Sequence, residues 1–173
     1  MLLTIGLCSS YVYMRHAHKA GIKTIVIDAG HGGKDPGCTY YGLKEKDITL
    51  DVSLKLGEML SANMDGIKII YTRTKDEFVE LKERAEIANR AKADLFISVH
   101  VNAAPPNGVK KMHGTETFVM GLHKSEQNLE VAQRENAAIL LEKDSKVNYN
   151  GFDPKSPQSY ILFSMYQNAK EVL

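Results

Sequence analysis

Cysteine is nearly absent from this chain, which has only Cys8 and Cys38. Because Cys8 falls in a segment interpreted below as a leader, no structural disulfide is expected. Two cysteines therefore give no indication of the compartment in which the protein works.

The chain also lacks an excess of charge of either sign. Its 22 Lys and Arg balance 21 Asp and Glu, leaving a formal net charge of +1. No basic field of the kind that attracts nucleic acid or an acidic membrane surface is present. The one compact basic pair in the middle of the chain, Lys110 and Lys111, is interpreted as part of a solvated loop, and we expect no nucleic-acid partner.

A long apolar run is missing as well. The apolar stretch Leu2–Cys8 is too short to span a membrane as a helix, and only Met1 precedes it where an export signal normally has a positive region. Residues 1–20 are interpreted as a partial signal or leader segment, so the protein is expected to be exported. A lipid anchor at Cys8 is disfavoured because Thr4–Leu7 fits a lipobox poorly.

What remains is one domain, residues 21–173, with alternating strand and helix patterns. The β-branched run at residues 24–27 and the segments at 67–72 and 95–100 predict strands, and GTETFV at residues 114–119 is interpreted as a later strand. Apolar residues at helical spacing predict a helix starting near Asp47, and Thr74 and Glu77 have the spacing of a capping box ahead of a second helix. This order indicates an α/β fold, a three-layer α/β/α arrangement around a mostly parallel or mixed sheet.

Three side chains that can bind a metal lie where these strands and helices begin or end. His31 stands in the glycine-rich loop after the first strand, Glu45 is expected on the loop before the first helix, and His100 ends the strand LFISVH. Loops after neighbouring parallel strands converge at one edge of a sheet. His, Glu and His with a water in the fourth place is a combination used by catalytic zinc. His113 and His123 remain alternative ligands on this argument alone.

Four blocks of sequence resemble the zinc-dependent N-acetylmuramoyl-L-alanine amidases of the Amidase_3 family. They are IDAGHGGKDPG, GLKEKDITL, YTRTKDEFVELKERAEIANRAKADLFISVHVNA and GTETFV, in the family's order. The resemblance implies Zn²⁺ held by His31, Glu45 and His100, and hydrolysis of the amide between muramic acid and the first L-alanine of the peptidoglycan stem. It also implies a place in the periplasm or cell envelope.

Further positions follow from the same resemblance. Asn102 is a candidate to orient a metal ligand or the substrate. Family-typical residues at three other positions are interpreted as structural, through surface pairs or hydrogen bonds that tie loops: Arg73, Arg84 and Asn89.

A helix-prone insert at about residues 124–158 resembles the regulatory helix of cell-division amidases, which plugs the site until an activator protein withdraws it. Glu135 is the first candidate for a carboxylate that fills the fourth zinc position, and Glu142 is the second. An ordinary packing helix is the alternative.

The catalytic glutamate of the family lies on a late strand, and we expect it beyond residue 173. The domain is therefore expected to be incomplete, without its C-terminal strand and helix, and to have little activity as given. Neither Glu116 nor Glu135 is assigned that role. Two other functions stay open: a non-catalytic peptidoglycan-binding or regulatory protein on the same fold, and a phosphate binder built on the loop Gly30–Gly37.

Overall fold

Of the 173 residues, the computed structural model describes residues 21–102, 114–118, 131 and 133–156. Its strands and helices are β1 (Thr24–Ala29), β2 (Thr39–Tyr40), β3 (Leu43–Lys44), α1 (Glu45–Asn63), β4 (Lys68–Tyr71), α2 (Leu81–Ala91), β5 (Leu95–Val99), a 3₁₀ helix (Ala137–Leu141) and a short helix (Ser145–Asn148). In this part of the chain, no helix is long and apolar enough to cross a membrane.

The central sheet has the strand order β4-β1-β5, with β1 parallel to both neighbours. Its middle strand is buried almost completely, as expected for a β-branched run between two parallel strands. The register pairs Ala29 with Val99, so β1 and β5 end side by side. The residues that follow these two strands therefore leave the sheet at the same edge.

Helices cover both faces of the sheet. Ile27 is paired with Tyr71 in the sheet, so both side chains point to the same face. The hydroxyl of Tyr71 donates to the carbonyl of Leu54, which places α1 on that face. Successive residues of a strand point to opposite faces, and the next residue, Asp28, accepts a hydrogen bond from Arg84 in α2. The predicted three-layer α/β/α arrangement is confirmed.

Helix α1 begins earlier than predicted. Its first residue is Glu45, so this side chain lies on the helix and not on the preceding loop. No side chain caps the helix; the N–H of Glu45 donates to Cys38 O and that of Lys46 to Pro36 O. These backbone partners arise because the chain turns back through the hairpin β2–β3, which places residues 36–38 against the helix start.

Two other local predictions were wrong. Thr74 and Glu77 do not form a capping box, because α2 starts only at Leu81. The expected strand GTETFV is not a strand at the described residues 114–118, whose side chains are exposed.

The described part of the insert is helical at residues 133–136, continues as the 3₁₀ helix, includes the short helix Ser145–Asn148 and runs on without helix to residue 156. Several predicted features lie outside the described residues: the leader 1–20 with Cys8, His16 and His18, the Lys110–Lys111 pair, His113, His123 and the start of the insert.

Candidate metal centre

His31 sits directly after β1 with a left-handed backbone, φ 60°. Its carbonyl accepts a hydrogen bond of 2.8 Å from Arg84, and its Nδ1 lies 2.8 Å from Oδ2 of Asp35. The other ring nitrogen, Nε2, lies 3.2 Å from Oε1 of Glu45 and 3.2 Å from Oε2 of Glu135. The loop therefore aims Nε2 at two carboxylates.

Glu45 is 2% exposed and its carboxylate is held from several sides. Oε2 accepts a hydrogen bond of 2.9 Å from Cys38 N, and Oε1 accepts one of 2.7 Å from Val101 N. Oε1 also lies 3.2 Å from Nδ1 of His100. The first turn of α1, the hairpin and the end of β5 thus meet at this one side chain.

Two glycines allow the groups to come this close. A Cβ built on Gly30 would lie 2.5 Å from the ring of His100. A Cβ on Gly37 would lie 2.6 Å from His31 Cδ2 and 2.7 Å from Glu45 Oε2. Any larger residue at either position would have to displace part of the cluster.

Glu135 joins the cluster from the insert. Its Oε2 lies 2.7 Å from His100 Nδ1, and its Oε1 accepts hydrogen bonds from Arg134. One ligand atom from each of His31, Glu45, His100 and Glu135 lies within 4.8 Å of the others. The first three are the predicted zinc ligands, and the fourth is the first candidate for the blocking carboxylate.

The donor set fits a metal ion. Nε2 of His31 and Oε2 of Glu135 are buried, and neither makes a well-aligned hydrogen bond within the described part of the chain, although a buried polar atom normally does. Both point into the space between the four side chains. A cation bound there would satisfy both atoms at once, and imidazole nitrogen with carboxylate oxygen suits zinc.

A sequence profile of the Amidase_3 family, described as N-acetylmuramoyl-L-alanine amidase, matches residues 25–171. The chain belongs to this family. Amidase_3 proteins are metal-dependent amidases, and this cluster of histidines and glutamates is where this member can hold a metal.

Three similar proteins illustrate the relationship. The chain is 44% identical over 84 residues to the sporulation-specific N-acetylmuramoyl-L-alanine amidase of Bacillus subtilis. The matched segment covers 49% of this chain and 33% of that protein. It is 49% identical over 83 residues to the endolysin of Bacillus phage SPP1, covering 48% of this chain and 30% of the endolysin. Among solved structures, the amidase AmiC2 of Nostoc punctiforme is 42% identical, with 50% of this chain and 47% of that chain covered and a TM-score of 0.46. The matched segments thus span about a third of the two curated relatives' length.

The cluster is strongly coupled electrostatically. Burial opposes protonation of His31, but the adjacent carboxylates of Asp35, Glu135 and Glu45 raise its pKa to about 11. For His100, burial is likewise outweighed by Glu135 and Glu45, and the pKa rises to about 9. For Glu45 and Glu135, burial alone would raise the carboxyl pKa, but the two imidazoles outweigh it. The pKa of Glu45 lies below its usual range, and the pKa of Glu135 is lowered to about 2. The positive charges of the two imidazolium rings therefore balance the negative charges of Glu45 and Glu135. A divalent cation would supply the same positive charge in their place.

Two buried arginine side chains bind the backbone of the loop that carries His31. Arg73 is 2% exposed and donates to the carbonyls of Ala29 and Gly30. Arg84 pairs with Asp28 at 2.7 Å and also donates to the carbonyl of Ala29. The prediction that these two arginines tie loops through hydrogen bonds is confirmed.

Two other candidate residues, Asn102 and Glu142, do not enter the cluster. Asn102 contacts Arg134 at 2.5 Å and Glu116 at 3.3 Å, so it touches the neighbour of Glu135 and not the metal-binding atoms. Glu142 is placed elsewhere: its carboxylate accepts hydrogen bonds of 2.7 Å from the N–H of Leu81 and 2.7 Å from the hydroxyl of Tyr149. The prediction of Glu142 as a second blocking carboxylate was therefore wrong, because its carboxylate binds the N–H of Leu81 at the start of α2.

Sequence reasoning missed Asp35. This residue lies four positions after His31 and is 8% exposed. The signal was available in HGGKDPG, where a carboxylate follows the histidine at the span of one tight turn.

Proposed function

We propose that this chain is the metal-binding catalytic domain of a zinc-dependent N-acetylmuramoyl-L-alanine amidase. The bond cleaved is the amide between N-acetylmuramic acid and the L-alanine of the stem peptide. The observation that carries the proposal is the convergence of His31, Glu45 and His100 within 4.8 Å of one another at the end of the sheet. Family membership supplies the substrate class.

In this proposal the zinc ion is held by Nε2 of His31, by the carboxylate of Glu45 and by Nδ1 of His100. When bound, zinc polarises a water and the carbonyl of the scissile amide. The protein's part is to fix the three ligands: Cys38 N and Val101 N hold the glutamate carboxylate. Three protein ligands leave one position open for the reaction, as catalytic zinc sites require.

The arrangement around Glu135 corresponds to a closed state. Oε2 of Glu135 lies against both histidines, where a water would have to enter. Arg134 steadies the other carboxylate oxygen and also reaches Asn102. The insert at 124–158 is thus proposed to be autoinhibitory, with a protein activator that binds the withdrawn insert better than the docked one.

Peptidoglycan lies outside the cytoplasmic membrane, so the proposed place of action is the periplasm or cell envelope. Residues 1–20 would then serve as the leader and residues 21–173 as the amidase domain. These assignments rest on the substrate class and on the family profile over residues 25–171.

Metal analysis of ligand variants tests the proposal. The full chain is prepared as wild type and as His31→Ala, Glu45→Ala and His100→Ala, and bound zinc is measured by elemental analysis. His123→Ala and Glu58→Ala are matched controls, since Glu58 is exposed on the same helix as Glu45. We expect one zinc per chain in wild type and controls and loss of zinc in the three ligand variants. Undiminished zinc in all three would overturn the assignment.

A second measurement addresses the reaction. Amidase cleavage creates a free α-amino group on L-alanine, which can be labelled after incubation with purified sacculi. We expect only a low yield of new N-terminal alanine from the zinc-loaded chain, and a higher yield once Glu135 is removed. Binding to sacculi without any new N-terminal alanine, in wild type and in Glu135→Ala alike, would favour the non-catalytic peptidoglycan-binding alternative.

A further inference from the structure

Asp35 is built into the same turn as His31. The backbones of Gly32 and Asp35 pair in both directions, N–H to O, at 2.9 and 3.1 Å. Oδ1 of Asp35 accepts a hydrogen bond of 3.1 Å from Gly37 N, which leaves Oδ2 free to face the imidazole at 2.8 Å. The carboxylate is therefore oriented before any ligand arrives.

This contact decides which nitrogen of His31 keeps its proton when the ring is neutral. A carboxylate can only accept hydrogen bonds, so Nδ1 of His31 must be the donor. The lone pair of the neutral ring then lies on Nε2, the nitrogen that faces the cluster and makes no well-aligned hydrogen bond to any described residue. A metal needs that lone pair.

The two histidines differ in this respect. His100 turns Nδ1 toward Glu45 and Glu135, so it presents the opposite ring nitrogen to the cluster. Among the described residues, no carboxylate contacts its Nε2. A change at Asp35 should therefore affect the ring of His31 and not that of His100.

We propose that Asp35 is a positioning residue, which fixes the tautomer and ring orientation of His31 so that Nε2 is presented to a divalent cation. The inference rests on the proposed function, because it assumes that the cluster binds a metal. Arg84 completes the support by holding the carbonyl of His31 at 2.8 Å, where the backbone is left-handed. Ring and backbone are thus fixed by two separate side chains. Carboxylates that hydrogen-bond a ligating histidine raise its basicity and set its orientation.

Zinc affinity of the full chain tests this role. Dissociation constants are measured by competition with a chromogenic chelator for wild type, Asp35→Asn and Asp35→Ala. Asp51→Asn is the control, since Asp51 is an exposed aspartate paired with Lys55. We expect Asp35→Ala to weaken zinc binding about 10–100-fold, the usual effect of removing such a partner. Asp35→Asn keeps a neutral acceptor and should lose less, and the control should match wild type.

A spectroscopic readout separates positioning from simple loss of structure. Long-range ¹H–¹⁵N spectra of the zinc-loaded protein should show His31 protonated at Nδ1, and this signature should become mixed in Asp35→Ala while that of His100 is unchanged. Circular dichroism of the metal-free variants checks that the fold is kept. If Asp35→Ala does not fold, the affinity and spectrum of Asp35→Asn decide.

The outcomes distinguish this proposal from the one on which it rests. If wild type binds no zinc, the metal centre itself is wrong and the role of Asp35 falls with it. If wild type binds zinc through His31 but the folded Asp35 variants bind it equally tightly with an unchanged tautomer, only the role of Asp35 is overturned.

Discussion

Oε2 of Glu135 lies 2.7 Å from Nδ1 of His100, closer than any contact between the three predicted metal ligands. The insert therefore reaches the cluster through a carboxylate in direct contact with a histidine. A second attachment lies further along, where Glu142 receives the N–H of Leu81 at the start of α2. The segment between these two residues is fastened at both ends, one end on the cluster and the other on the helix that covers the sheet.

Removing the carboxylate of Glu135, which we propose blocks the site, should open it. We expect Glu135→Ala to keep its zinc, because three ligands remain, and to release N-terminal alanine from sacculi faster than wild type. The gain should be about 5–150-fold, the range of ordinary coupling free energies. Glu58→Ala controls for loss of a surface carboxylate. An unchanged rate in an active preparation would show that the insert is a packing element.

Gly37 offers a test of how tightly the cluster is packed. Gly37→Ala would place a Cβ 2.6 Å from His31 and 2.7 Å from Glu45, at a backbone φ of 64°. Gly66→Ala is the matched control, because Gly66 has a φ of 73° and nothing within 4 Å of its Cβ position. Both variants should lose about 1 kcal/mol or more of unfolding free energy in urea through the strained backbone.

Only Gly37→Ala should also lose zinc affinity, measured by chelator competition. Equal affinities in the two variants would mean that the cluster adjusts to a Cβ and that its geometry is looser than the structure indicates.

The central part of the fold and the convergence of the three proposed ligands were predictable from sequence. A β-branched run such as residues 24–27 indicates a buried strand wherever it occurs, and His31 and His100 follow two strands of that kind. Parallel pairing then brings the two strand ends together without further information. The register between Ala29 and Val99 shows that this expectation was sound.

The helix starts were not predictable, because their partners are distant in sequence or lie in the backbone. Nothing near Leu81 indicates that its N–H is capped by Glu142, 61 residues away. Helix α1 begins at Glu45, whose N–H donates to the carbonyl of Cys38. This hydrogen bond depends on the hairpin β2–β3, whose strands are very short. A local capping rule applied to Thr74 or Asp47 cannot detect either arrangement.

Glu142 should stabilise the protein through α2 and not through the metal. Glu142→Ala leaves the N–H of Leu81 without its acceptor, and we expect a loss of about 0.5–2 kcal/mol in urea unfolding, the usual cost of a lost helix cap. Glu80→Ala is the matched control, because Glu80 occupies the N-cap position but makes no capping hydrogen bond. A loss of stability at Glu80 equal to that at Glu142 would contradict the capping role.

Zinc binding should release protons. The pKa of His31 is raised to about 11 and that of His100 to about 9 in the metal-free cluster, so both imidazoles are protonated at pH 7. A metal needs both lone pairs, hence binding must expel about two protons, and affinity must rise with pH. The logarithm of the association constant should increase by about 2 per pH unit near neutrality and by about 1 once pH exceeds the pKa of His100.

Calorimetric titration with zinc in buffers of different ionisation enthalpy counts these protons at pH 7. The same titration above the pKa of His100, about 9, should release about one proton fewer, because that imidazole is then already neutral. The His123→Ala variant should release as many protons as wild type, since His123 is not a proposed ligand. Release of well under one proton by wild type would mean that the imidazoles are already neutral, and that Asp35, Glu45 and Glu135 do not hold protons on them.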